Sequence, residues 1–217
     1  MIKACVFDLD GTLLNTLPTI AYYVNQMLIR YGIEPYEVEE YRAFVGNGSR
    51  DLLRRALAGR GVEKIDFEAF HAEYVAFYDR DPAYLTVPYE GVYELLSLLR
   101  AHSCRLAVLS NKPDSSIRLL IDRFFPNTFD IVQGAREGVA LKPAPDALYA
   151  ILREFGVTSD ECFYMGDGIP DMLLAKASSV SVAVAALWGF TEPSELLNIG
   201  GIGAKTPKDA ADLFLNL

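Results

Sequence analysis

Short apolar runs recur along the chain at Ile2 to Phe7, Arg105 to Leu109, Phe129 to Val132, Cys162 to Met165 and Ser181 to Leu187. Each has the length of a buried strand. Amphipathic stretches at helical spacing separate them, at Asp114 to Phe124, Pro145 to Phe155 and Ile169 to Ala177. Runs that are apolar throughout and alternate with helices predict a parallel sheet covered on both faces. Right-handed crossovers make it a doubly wound α/β domain, whose ligands bind beyond the carboxyl ends of the strands.

The strand pattern stops from about Asn15 to Arg80. Ile20, Val24, Met27, Leu28 and Tyr31 follow one helical stripe that Gly32 ends, and further helices are predicted at Val38 to Phe44, Arg50 to Ala58 and Phe67 to Tyr78. The expected organisation is a core of 1–14 and 82–217 with an all-helical, four-helix insertion at 15–81. Leaving after the first strand and returning before Pro88, the insertion is expected to hinge above the end of that strand. Phe67, Phe70, Tyr74 and Phe77 are expected to pack its interior.

Composition narrows the function classes. With 217 residues, 51% of them hydrophobic and 23% charged, the chain has material for one substantial core plus a small insertion. A net charge of -9 without any basic run excludes nucleic acid as an expected partner. Cys5, Cys104 and Cys162 have no metal-ligand spacing and are expected as free, buried thiols. No stretch has membrane-spanning length and no leader pattern precedes the first strand, so no membrane association and a cytoplasmic location are expected.

Candidate chemistry gathers at the predicted strand ends. Asp8-Leu9-Asp10-Gly11-Thr12 follows the first run, and side chains two apart on an extended chain share a face, so Asp8 and Asp10 bring two carboxylates together. Their repulsion calls for a bound cation or a raised pKa; a solvated Asp-Gly turn is the alternative. Ser110 and Asn111 end the second run and suit either a phosphoryl oxygen or a helix N-terminus. Lys142 is pinned in Leu141-Lys142-Pro143-Ala144-Pro145, either as a counter-charge or as a solvated loop lysine. Gly166-Asp167-Gly168-Ile169-Pro170-Asp171 adds two carboxylates after the fourth run. Gly200-Gly201-Ile202-Gly203-Ala204-Lys205-Thr206 has the wrong spacing for a nucleotide-binding loop and reads as a turn with a short final strand. His71 and His102 lie away from the strand ends and read as ordinary surface or packing residues.

In this order the four acidic, hydroxyl and basic pieces resemble the haloacid dehalogenase superfamily of phosphotransferases, across nearly the whole chain. The resemblance implies a Rossmann-like core with a type-one helical cap. It assigns Asp8 as the nucleophile that forms an aspartyl-phosphate, Asp10 as the general acid and base, and Ser110 and Lys142 as the cradle for the phosphoryl oxygens. It further implies Mg2+ held by Asp8, the Asp10 backbone carbonyl and Asp167, with Asp171 orienting a water of the ion. An acid at position 10 distinguishes the chain from the true dehalogenases and phosphonate hydrolases, so phosphate monoester hydrolysis is expected.

Within the superfamily, Val45-Gly46-Asn47-Gly48-Ser49-Arg50 and Ser110-Asn111-Lys112-Pro113 resemble the phosphoglycolate phosphatases. That likeness implies a small phosphorylated metabolite bound by Ser110, Asn111, Lys142, Gly46, Asn47 and Arg50, the last pairing with a carboxylate. Alternatively Gly46 and Gly48 form only a turn between cap helices and Arg50 is solvated. A sugar-phosphate phosphatase or a β-phosphoglucomutase-like phosphotransferase is the competing enzyme. A non-catalytic binding module would have lost Asp8, Asp10 or Lys142. Oligomeric state is left open.

Overall fold

Every residue of strand β1 (Ala4–Phe7) is fully buried, with odd and even positions feeding different cores. Cys5 and Phe7 pack with Leu106, Val108, Phe163 and Met165 on one face of the sheet. Ala4 and Val6 pack with Ala107, Leu109, Cys162 and Tyr164 on the other. Two-sided burial is why these strands read as continuous apolar runs rather than as alternating ones.

The computed structural model describes residues 1–217. Strand β1 is central. It pairs in parallel with β4 (Arg105–Pro113) on one side and β6 (Cys162–Gly166) on the other. Strand β5 (Ile131–Ala135) lies outside β4, while β7 (Val182–Ala186) and β8 (Ile202–Ala204) extend the far side, giving the order β5-β4-β1-β6-β7-β8. Helices α4 (Val92–Ala101), α5 (Asp114–Phe124) and α9 (Pro207–Leu215) supply residues to the first core. Helices α6 (Asp146–Phe155) and α7 (Ile169–Ser178) supply the second. The doubly wound α/β fold read from the sequence is the observed one. The direction of winding reverses at β1, so the crevice at its carboxyl end is where such a sheet admits a ligand.

Helices α1 (Leu17–Arg30), α2 (Ser49–Gly59) and α3 (Phe67–Tyr78) share a separate apolar cluster with Tyr41, in which Val24, Met27, Leu53 and Phe70 are fully buried. Truncating a ring such as Phe70 to alanine in this setting costs about 3–5 kcal/mol. Asp66 begins α3 by accepting a hydrogen bond from the Ala69 N–H at 3.1 Å. The helix expected at Val38 to Phe44 is instead a 3-10 turn over Val38–Ala43. Tyr41 is its only buried side chain, and one anchor gives no stripe to hold a longer α-helix.

A two-stranded antiparallel ribbon, β2 (Leu14–Asn15) with β3 (Val87–Pro88), joins the two chain crossings between sheet and helices. Two-residue strands carry no readable periodicity, which is why the sequence does not announce them. Hydrogen bonds between Thr19 and Thr86 at 2.8 Å, and from the Tyr23 hydroxyl to the Asp81 carbonyl at 2.9 Å, brace the same crossing. Strand β4 runs on to Pro113, past the expected Leu109, with an irregular register against β5 between Leu109 and Pro113. All three cysteines are buried and unpaired. No helix is long and apolar enough to cross a membrane.

Candidate active site

The carboxyl ends of β1, β4 and β6 deliver Asp8, Ser110 and Asp167 to one crevice, beneath helices α2 and α3. The resulting cleft, about 740 Å³ with its open mouth, is lined from below by Asp8, Asp10, Ser110, Asn111, Lys112 and Asp167. Helical residues including Leu52, Tyr74, Val75 and Tyr78 line it from above.

Three carboxylates meet here, Asp8 and Asp167 at the floor of the cleft and Asp171 buried outside its lining. Ligand oxygens of Asp8, Asp167 and Asp171 lie within 4.8 Å of one another. Asp8 is 8% exposed, and burial chiefly, with Asp171 and Asp10 acting the same way against Lys142, raises its pKa from 3.8 to about 7. Burial, then Asp8 and Asp171, likewise hold Asp167 well above the ordinary carboxylate range. Burial alone would lower the Lys142 pKa, but Asp171 and Asp8 outweigh it and keep the ammonium charged. Lys142 lies 2.8 Å from Asp8 Oδ1 and 2.8 Å from Asp171 Oδ1. The one ammonium is thus shared between the two acids. One ammonium against three carboxylates leaves negative charge uncompensated in a buried site, and this all-oxygen donor set fits a hard divalent cation.

The acids differ in how much of their capacity is free. Asp167 Oδ1 accepts from the Thr12 hydroxyl at 2.9 Å and Oδ2 from the Phe190 N–H at 2.8 Å, so each oxygen keeps a lone pair. Two glycines allow this packing: a β-carbon on Gly11, whose φ is 82°, or on Gly189 would overlap the Asp167 carboxylate. Asp171 is more fully engaged. Its Oδ1 accepts from Lys142 at 2.8 Å and from the Tyr164 hydroxyl at 2.6 Å, and its Oδ2 from the Gly168 N–H at 2.9 Å. The Asp10 carboxylate stands apart from the trio and is bound by Lys112 Nζ at 3.1 and 3.3 Å.

The remaining residues singled out in the sequence are placed as follows. Lys142 reaches the cleft only through Asp8, its side chain being 2% exposed and outside the lining. Ser110 lines the cleft, and its hydroxyl accepts a 3.3 Å bond from the Lys112 N–H. Asn111 also lines it, but its amide is spent on structure: Oδ1 accepts from Lys142 N–H at 2.8 Å, and Nδ2 donates to the Lys142 and Gly46 carbonyls at 3.1 and 3.2 Å. Gly46 is thereby clasped to the sheet, and Gly46 and Gly48 both line the cleft. Asn47 and Arg50 fall outside the lining. Arg50 is turned away to pair with Glu68 and lies over the Phe67 ring, because a helix-surface carboxylate and an aromatic face compete for the guanidinium. Lys112 was noted in the sequence only as a member of Ser110-Asn111-Lys112-Pro113, with no role of its own, and Tyr78 and Tyr164 were not singled out. Their positions depend on β4 continuing to Pro113, on α3 crossing above it and on the inward face of β6.

The site's residues come from a chain whose residues 5–185 match the profile of the haloacid dehalogenase-like hydrolases. Over 227 aligned positions, 98% of this chain and 83% of the other, it is 34% identical to a phosphoglycolate phosphatase of Pseudomonas fluorescens. It is 33% identical to a phosphoglycolate phosphatase of Rhodospirillum rubrum, with 89% and 83% of the two chains covered. A Lactobacillus delbrueckii subsp. bulgaricus structure provisionally described as a phosphoglycolate phosphatase superposes with a TM-score of 0.91 at 27% identity, over 97% of both chains. The motif order, the sheet and these relatives agree: the chain belongs to the haloacid dehalogenase-like hydrolase family.

Proposed function

We propose that this protein hydrolyses the monoester of a small phosphorylated metabolite, with phosphoglycolate as the leading candidate substrate, as in its curated relatives. The observation that carries the reading is the pairing of two differently held carboxylates at one strand end. Asp8 sits among acids beside Lys142, while Asp10, two residues on, is held separately by Lys112. Chemically distinct acids side by side suit a nucleophile and a proton carrier.

An Asp8 oxygen attacks phosphorus, the bond from phosphorus to the ester oxygen breaks, and Asp10 gives its proton to the departing alkoxide. Water then attacks the aspartyl-phosphate, yields a proton to Asp10 and releases inorganic phosphate, which restores both acids. In this reading Ser110, which lines the cleft, holds a phosphoryl oxygen. Lys142 stabilises the Asp8 carboxylate from behind, and Asn111 fixes the loop that carries Lys142. Mg2+, held by Asp8, Asp167 and the Asp10 backbone with Asp171 beside it, would neutralise the phosphoryl charge. Residues 15–81 serve in this reading as a cap that excludes water.

The test is phosphate release across phosphoglycolate, sugar phosphates, nucleotides and pyrophosphate at matched Mg2+. The expected result is the highest kcat/KM on phosphoglycolate and its loss in Asp8→Asn. Isomerisation of a sugar phosphate without phosphate release would instead establish a mutase.

A further inference from the structure

Among the residues that line the cleft, Lys112 is the only one with a cationic side chain. It is 8% exposed, so its ammonium has been taken out of bulk water. Two groups engage it: Asp10, at 3.1 and 3.3 Å, and the face of Tyr78, whose ring centre lies 4.5 Å from Nζ. The chain's net charge is -9 and the floor of the cleft is acidic, so a substrate carrying an anion besides its phosphate finds its one side-chain counter-charge in the lining at Lys112.

Tyr78 supplies an independent observation. It also lines the cleft, is 2% exposed, and its hydroxyl has no hydrogen-bond partner. Burial holds its pKa far above the ordinary phenol value, with Asp10 pushing the same way, so it remains a neutral donor. An orphaned buried hydroxyl beside a desolvated ammonium is an arrangement that an incoming acceptor completes. A carboxylate offers a counter-charge and acceptor positions to both donors, whereas an alkyl group offers neither and would leave the ammonium with Asp10 alone.

We propose that Lys112 and Tyr78 form a carboxylate-binding subsite that selects short phosphorylated acids. This inference rests on the phosphatase reading above and deepens it. Lys112 also holds Asp10, the proton donor to the ester oxygen, which limits the reach of the subsite. The carboxylate it accepts must lie within a carbon or two of that oxygen, as it does in a phosphorylated 2-hydroxy acid. Arg50, the residue whose type and position suggested carboxylate recognition, is held by Glu68 outside the lining.

The experiment compares kcat/KM for phosphoglycolate and ethyl phosphate, which differ in the carboxylate, at saturating Mg2+ in wild type, Lys112→Met, Lys112→Arg and Tyr78→Phe. The quantity read is the ratio of the two constants within each preparation, which cancels any difference in the amount of folded enzyme. The expected wild-type preference for phosphoglycolate falls about 10- to 100-fold in Lys112→Met and several-fold in Tyr78→Phe, and is partly kept in Lys112→Arg. Equal losses on both substrates in Lys112→Met would overturn the proposal and leave Lys112 as a positioning residue for Asp10. A wild type that cleaves both esters equally well would overturn it together with the phosphoglycolate assignment, while leaving the phosphatase reading intact.

Discussion

Gly189 lies so close to Asp167 that a β-carbon on the glycine would overlap the carboxylate, although the two residues belong to different loops of the sheet. The space for that acid is therefore made by the absence of a side chain 22 residues away. Gly189→Ala is expected to displace the Asp167 carboxylate and weaken Mg2+ binding by roughly tenfold or more, the range found when partners that orient metal ligands are lost. Isothermal titration of the purified protein with Mg2+ measures this directly. Unchanged affinity would remove Asp167 from the proposed ion site.

The raised pKa of Asp8 has a consequence for stability. Between pH 3.8 and about 7 the folded protein keeps a proton that the unfolded chain has already released. Stability of the metal-free protein therefore falls as pH rises through that window, and the penalty is complete above it. In chelator at about pH 8, Asp8→Asn is expected to melt about 2–8 °C above wild type, equivalent to 1–2 kcal/mol. Added Mg2+ is expected to reverse the order by stabilising the wild type. Thermal melts with and without chelator across this pH range test both signs.

Tyr164 donates a 2.6 Å hydrogen bond to the Asp171 oxygen that also receives Lys142. Tyr164→Phe keeps the ring in the core and deletes that one donor. The expected result is a loss of about 3- to 10-fold in kcat with little change in KM, from roughly 1 kcal/mol of misplaced Asp171. Steady-state kinetics separates this from a binding defect.

Arg50 is half-exposed and tied to Glu68, clear of the cleft. Arg50→Ala is expected to change kcat/KM on phosphoglycolate less than about twofold, in keeping with the small worth of exposed ion pairs. A loss of tenfold or more would mean that the side chain swings into the cleft when substrate binds.

The ends of the strands were legible because burial on both sheet faces leaves unbroken apolar runs, and Asp8, Ser110 and Asp167 follow directly from where those runs stop. Lys112 was not, since polar Ser110-Asn111-Lys112 looks like a loop while the backbone continues as β4 to Pro113. Tyr78 and Tyr164 fall inside a predicted helix and a predicted strand, and both are buried. What their hydroxyls face depends on contacts between distant parts of the chain. Arg50 was legible only as a choice between a carboxylate ligand and a solvated residue, because the competition from Glu68 and Phe67 that holds it outside the lining depends on how α2 and α3 pack.

Phe190 belongs by sequence to the loop after β7, yet its ring is buried among the helices of residues 17–78 while its N–H steadies Asp167. Any tilt of those helices away from the sheet must therefore tug on the peptide that aims the acid. In the proposed reading, access to the cleft and the aim of Asp167 would thus be tied together through one residue, whose ring answers to the helices and whose peptide answers to the acid.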